Sequence, residues 1–229
     1  MHLHYFPVSE GRAAVFAAIL VGLFILIGLG LLRRAYMALG LNPWVVTLIL
    51  FASLLGSYIN LPIYQLPGKQ VVSREVVQIL GVPFLAPVRV DWPGTVLAIN
   101  VGGAVIPIML SFYLLVRYRL WLPGLAAVAI VTFFVHQEAT PIRGVGIAVS
   151  TVTPPLLAAF AGLLLSKRFA APIAYIGGCL GVLIGADLLN LGDLQSLGAP
   201  VASIGGAGTF DGVFLTGVIA VLLASLVTG

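Results

Sequence analysis

Charge is what this chain has least of. Eleven Lys and Arg and seven Asp and Glu stand in 229 residues, a charged fraction of 8% against 61% hydrophobic. Soluble domains carry about 25% charged residues, and so few cannot make the polar shell of a water-soluble fold this long. Cysteine is equally scarce: Cys179 stands alone, in an apolar run that suits a small packing residue, so no disulfide framework exists. The basic residues come in ones and twos with no stripe, which removes nucleic acid from the partners. His2 and His4 lack a third ligand, and there is no P-loop or nucleophile elbow, so the sequence implies no metal and no cofactor. What is abundant is Leu, Ile and Val, with a mean hydropathy of +1.17, which excludes disorder. The composition is that of an integral membrane protein whose first partner is the lipid bilayer.

A helix crossing the hydrocarbon core needs about 20 mostly apolar residues. Seven stretches qualify, at 13–32, 44–64, 96–116, 121–135, 145–166, 172–191 and 212–228. The expected fold is all-α, a polytopic transmembrane bundle of about seven spans that makes residues 1–229 one membrane domain. Charge sets its orientation, because cytoplasmic loops collect Lys and Arg. Arg33-Arg34, Arg117-Tyr-Arg119 and Lys167-Arg168 lie after the first, third and fifth spans, with no acid among them. On the opposite side Arg12, Lys69, Arg74, Arg89 and Arg143 are balanced by Glu10, Glu75, Asp91, Glu138 and Asp193. The expectation is a multi-pass protein of the cell (inner) membrane, N-terminus extracytoplasmic and C-terminus cytoplasmic. The first span reads as a retained anchor, since its basic flank follows the apolar run and no A-x-A cleavage site is clear.

One loop is long. Within 65–95, residues 70–80 mix β-branched and polar types, Gly81 and Pro83 punctuate, and Val88-Arg-Val-Asp-Trp92 alternates. This predicts a small extracytoplasmic hairpin, with Trp92 and Trp44 as interfacial anchors. There is also a faint parallel repeat of 44–119 and 172–229. Leu55-Gly-Ser-Tyr-Ile-Asn60-Leu echoes Ile184-Gly-Ala-Asp-Leu-Leu-Asn190-Leu, and the glycine pairs of Asn100-Val-Gly-Gly103 and Ile204-Gly-Gly206 follow in turn.

Ionisable residues within membrane spans are costly and are functional candidates by default. Asp187 lies near the exported end of the sixth span and Asp211 at the exported entry of the seventh. Asn60, Asn100, Asn190, His136, Glu138 and Arg143 fall on that same side. One orientation thus gathers the polar intramembrane groups in the outer half of the bundle. The competing reading is structural: Asp187 and Asp211 at the interface or capping helices, Asn60 and Asn100 as interhelical glue, and His136, Glu138 and Arg143 in a solvated turn. Three places predict broken helices. Gly205-Gly-Ala-Gly208 makes 192–212 irregular and partly re-entrant, Thr151-Val-Thr-Pro-Pro155 interrupts the fifth span, and Asn100 to Pro107 interrupts the third.

Asn100-Val-Gly-Gly-Ala-Val-Ile-Pro-Ile108, Gly144-Val-Gly-Ile-Ala-Val149, Gly205-Gly-Ala-Gly-Thr-Phe-Asp-Gly212 and the His-Leu-x-Tyr-Phe-Pro start carry a resemblance over nearly the whole chain. It resembles a prokaryotic, largely archaeal family of integral membrane proteins known only as a domain of unknown function. The resemblance implies a polytopic membrane protein and no reaction. A weaker resemblance is to intramembrane aspartyl proteases of the presenilin and prepilin-peptidase type. Asn190-Leu-Gly-Asp193 and Gly206-Ala-Gly-Thr-Phe-Asp211 approach their Gly-x-Gly-Asp motif without matching it.

Two main classes of function follow. In a cation- or proton-coupled transporter or permease, Asp187, Asn190, Asp211, Asn60, Asn100, Gly206 and Gly208 would bind an ion or an unidentified small solute. In an intramembrane aspartyl hydrolase, Asp187 and Asp211 would be the catalytic pair sharing one proton to activate water on a membrane-embedded substrate. A structural membrane subunit is the third reading, with the acids only capping and packing. The separation of the Asp187 and Asp211 carboxylates discriminates the first two.

Overall fold

The computed structural model describes residues 18–19, 21–22, 37, 39–67, 69–79, 82–92, 94–142, 146–192, 201–206 and 212–228. Most of the first expected span (all but 18–19 and 21–22), and His2, His4, Arg143, Asp193, Gly208 and Asp211, lie outside these residues.

Apolar runs started by prolines and turn residues become helices. Helix α1 (Pro43–Gly56) begins at Asn42, whose side chain accepts from the Trp44 N–H, with Pro43 in its first turn, where the missing N–H costs nothing. Helix α2 (Ile106–Tyr118) likewise starts on Pro107 and stops where Arg119 takes a left-handed φ of 54°. Helix α3 is Trp121–Glu138, α4 is Thr153–Leu165, α5 is Ala170–Val182 and α6 is Gly212–Thr228. Two π turns extend this set: Val101–Val105 leads into α2, and Leu183–Asp187 continues α5 into a short 3-10 turn at Leu188–Asn190. Val101–Tyr118, Trp121–Glu138 and Ala170–Asn190 are long and apolar enough to cross a membrane. The apolar helices Thr153–Leu165 and Gly212–Thr228 are shorter.

The molecule is mainly helical, but the all-α expectation needs correcting. The span expected at 44–64 turns from helix to strand at Asn60, and the one expected at 96–116 begins as strand. Strand β1 (Asn60–Leu66) pairs antiparallel with β4 (Thr95–Asn100), and β4 pairs in parallel with β7 (Val201–Ile204), giving the order β1-β4-β7. In the loop expected to hold a small extracytoplasmic hairpin, β2 (Lys69–Ile79) pairs antiparallel with β3 (Val82–Trp92) over eleven residues each. A second hairpin, β5 (Thr140–Ile142) with β6 (Gly146–Ala148), joins α3 to α4. Hydropathy cannot tell a short apolar strand from a helix, and Val, Ile and Thr favour the strand. Pro154 and Pro155 are also corrected: they open α4 rather than break a helix already running, because proline suits the first helical turn.

Helix α5 is the centre of the bundle, buried along nearly its whole length and packed on α3, α4 and α6. Close approach at small residues holds it there. Gly177 faces Ala127, Gly181 faces Val131, and Gly178 sits between Ala158 and Thr216, where an added Cβ would lie 3.2 Å or less from each neighbour. Cys179 is buried in this packing, as expected of a small core residue. Outward positions carry exposed apolar side chains, among them Leu122, Phe133, Phe160 and Leu226. A bundle with an apolar exterior is built for lipid rather than water.

The helices run up and down, so the two ends differ. At one end the loops after Leu39, Tyr118 and Leu165 come together: Tyr118 Oη donates to the Leu39 carbonyl at 2.7 Å, and its ring lies 5.5 Å from Phe169. Arg117, Arg119, Lys167 and Arg168 are at least partly exposed there. The opposite end holds the sheet, both π turns and the polar side chains.

Candidate ion-binding site at the strand end

The strand end is assembled around two amides. The register sets Asn60 opposite Asn100 across β1 and β4. Asn100 is fully buried and uses its whole side chain: Nδ2 donates to the Ser57 carbonyl at 2.7 Å and to Asn60 Oδ1 at 3.0 Å, while Oδ1 accepts from the Gly103 N–H at 2.8 Å. The last bond caps the π turn leading into α2. Ser53 and Ser57 extend the network. Ser57 Oγ donates to the Ser53 carbonyl at 2.8 Å, and Ser53 Oγ to the Gly102 carbonyl at 2.9 Å. Gly102 is pressed so closely on α1 that a Cβ would fall on the Ser53 carbonyl and the Ser57 nitrogen. The sequence expectation of hydrogen-bonding glue describes Asn100 well, since buried amides are kept only when satisfied.

Asn60 reaches further. Its Oδ1 also accepts from Ser203 Oγ at 2.6 Å, tying β1 to β7 across β4. Beyond Ser203 the chain turns at Gly205 and Gly206 with φ of +85° and +100°, and the Gly206 N–H closes the turn on the Ser203 carbonyl at 3.2 Å. This backbone is not helical; of the segment expected to be irregular over 192–212, residues 201–204 form the regular strand β7, and 193–200 and 207–211 lie outside the described residues. A Cβ on Gly205 would lie 2.7 Å from Ala104 Cβ and from the Gly103 carbonyl carbon. The two glycine pairs that echo one another in the sequence therefore touch.

Gly205 is also where the acid is met. Its N–H donates to Asp187 Oδ2 at 2.7 Å. Asp187 is half-buried and lies in the last turn of the continuous helical run Ala170–Asn190, so its carboxylate stands near the carbonyl end of a helix. A helix C-terminus already carries partial negative charge. Adding a carboxylate there makes an electronegative spot suited to a cation, as at the ends of broken helices in transporters. Asn190 plays a different part. Its Nδ2 donates at 2.9 Å to both the Gly185 and Ala186 carbonyls, which spends both hydrogens on capping its own helix. His136 Nδ1 lies 3.4 Å from that same Nδ2.

Glu138 ends α3 and its Oε1 accepts from Thr153 Oγ1 at 3.2 Å, placing an acid beside the N-terminus of α4, where the helix dipole favours it. Ser150 Oγ, accepting from the Val152 and Thr153 N–H groups, completes that corner. Among the described residues no group of three His, Cys, Asp or Glu side chains is arranged to hold a metal.

Of the residues singled out from sequence, the structure joins Asn60 with Asn100, and links Asp187 to the corner that contains Gly206. Asn190 sits one turn beyond Asp187. Ser57, Ser203 and Gly205 were not foreseen as partners. The run Val-Ala-Ser-Ile at 201–204 carries the strand composition that would have signalled β7.

Comparison with known families gives a match over residues 54–223 to the family described as "Protein of unknown function (DUF1614)". No curated protein and no solved structure matches the chain.

Proposed function

Since the chain belongs to the DUF1614 family, matched over residues 54–223 and described without a reaction, we propose its function from the site: a multi-pass membrane protein that carries a cation or a proton. Asp187 is the ion-binding carboxylate, and Asn60, Asn100 and Gly206 belong to the corner that frames it. Asn190, Asp211 and Gly208 complete the set expected from sequence. The observation that carries this reading is the carboxylate of Asp187 at the carbonyl end of a π-broken helix, held 2.7 Å from the N–H of a glycine on a non-helical strap. Non-helical backbone at membrane depth survives only when buried in protein or lining a wet cavity. The meeting of two echoed glycine corners supports a site at the interface of two repeats, 44–119 and 172–229, as in transporters built by duplication.

In this reading the strand end faces outside the cell and the Arg117 and Lys167 loops face the cytoplasm, following the six basic residues and no acids of those loops and the Arg33 loop. The partners are the bilayer and a small solute or ion. Purified protein in proteoliposomes tests the reading. Wild type is expected to pass Na⁺, K⁺ or H⁺ down an imposed gradient, and Asp187→Asn to lose at least about tenfold in rate while staying folded. Equal flux in the two, or none in wild type, refutes it.

A further inference from the structure

Among the described residues, strand β7 is held by four parallel pairings from Val96↔Val201 to Ile99↔Ile204, by two side-chain links, and by the inward packing of Ala202 and Ile204. It is an edge strand, with β4 as its neighbour in the order β1-β4-β7. The side-chain links are Ser203 Oγ to Asn60 Oδ1 at 2.6 Å and the Gly205 N–H to Asp187 Oδ2 at 2.7 Å. The second ends on the carboxylate proposed to bind the ion, beside the turn that Gly205 and Gly206 make with positive φ.

We propose that residues 201–206 are a clasp across the Asp187 site, closed by the carboxylate and released when a cation takes that carboxylate. The proposal rests on the ion-carrying reading above. A hydrogen bond to an ionised acceptor is roughly twice as strong as a neutral one. A cation bound at Asp187 competes for Oδ2 and cancels the charge that strengthens the Gly205 bond. Ser203 keeps its neutral link to Asn60, so the strand swings about that point rather than leaving the sheet. Ion entry and clasp opening become one event. Among the described residues this end also carries Tyr58, Tyr64, His136, whose Nδ1 lies 3.4 Å from Asn190 Nδ2, and Glu138, which accepts from Thr153. Holding pH constant removes them from the test.

Amide hydrogen exchange of the full chain in lipid nanodiscs, read on a peptide spanning 201–206 at fixed neutral pH, tests the clasp. N-methyl-D-glucamine chloride is the reference, and NaCl or KCl the probe. In wild type, Na⁺ or K⁺ is expected to speed exchange about tenfold, the loss of one charge-assisted bond. Asp187→Asn exchanges fast in every salt. Ser203→Ala raises exchange about threefold in the reference salt and keeps its response to the cation, which guards against a variant that merely misfolds. Exchange that neither cation alters in wild type, or that Asp187→Asn leaves as slow as wild type, overturns the clasp. Flux measured on the same samples separates the two ideas. Lost flux in Asp187→Asn with unchanged exchange removes the clasp and keeps the carrier; cation-released exchange without flux in wild type removes the carrier and keeps the clasp.

Discussion

Two corners of this molecule are built alike and locked differently. In each, a strand runs into a pair of glycines before a helix descends: β4 into Gly102-Gly103 and α2, and β7 into Gly205-Gly206 toward α6. The first corner is closed by Asn100, fully buried, neutral and satisfied by Ser57, Asn60 and Gly103. The second is closed by Asp187, half-buried and ionisable, through one backbone N–H. A neutral amide with both hydrogens used carries no net charge to draw a cation. A carboxylate at a helix C-terminus holds charge that a cation can claim. One corner is locked by a buried neutral network, and the other by an ionisable group.

That contrast is most exposed at Gly102. Replacing it by Ala drives a Cβ into the backbone of Ser53 and Ser57, which cannot yield as a flexible side chain would. A loss of about 4 kcal/mol or more is expected, read as a collapse of the thermal unfolding midpoint in detergent. An unchanged midpoint means that α1 and the first corner are not in contact. Next comes Asn100→Ala, which strands the Gly103 N–H and the Ser57 carbonyl in a dry interior. The expected cost is about 3 kcal/mol by denaturant titration. Less than about 1 kcal/mol would make the amide dispensable and erase the contrast.

The second corner is expected to be gentler on stability. Ser203→Ala removes one neutral bond at its edge, worth about 1 kcal/mol in the same titration, and a larger loss would place β7 in the folding core. Smallest of all for stability is Asp187→Asn, because it removes only the charge that strengthens one local bond to Gly205. The unfolding midpoint is expected to shift by the equivalent of under about 1 kcal/mol, whereas flux is lost. A large destabilisation without loss of flux would turn Asp187 into a structural residue like Asn100.

Sequence patterns reveal part of this arrangement, and physical reasons hide the rest. Apolar runs of Leu, Ile and Ala locate the helices, and the acid-free basic loops locate the end where Tyr118 and Phe169 meet. Asn60, Asn100 and Asp187 fall at one end because connectivity alone alternates the helices. The strands escape, since 60–64 and 96–100 are as apolar as the helices they join. Pro154 and Pro155 read as a break because nothing local shows that residues 146–148 are already strand. Ser203 and Gly205 depend on a parallel pairing between residues about a hundred positions apart, which no local pattern encodes. Asp211, central to the hydrolase alternative, lies outside the described residues.

The whole functional reading turns on a cation binding the Asp187 carboxylate, and infrared difference spectroscopy of the protein in lipid measures that bond directly. Adding Na⁺ or K⁺ at constant pH is expected to shift a carboxylate stretching band in wild type. The band is expected to be missing from the difference spectrum of Asp187→Asn and present in that of Ser203→Ala. An identical cation-induced band in wild type and Asp187→Asn would contradict the binding of the ion at Asp187.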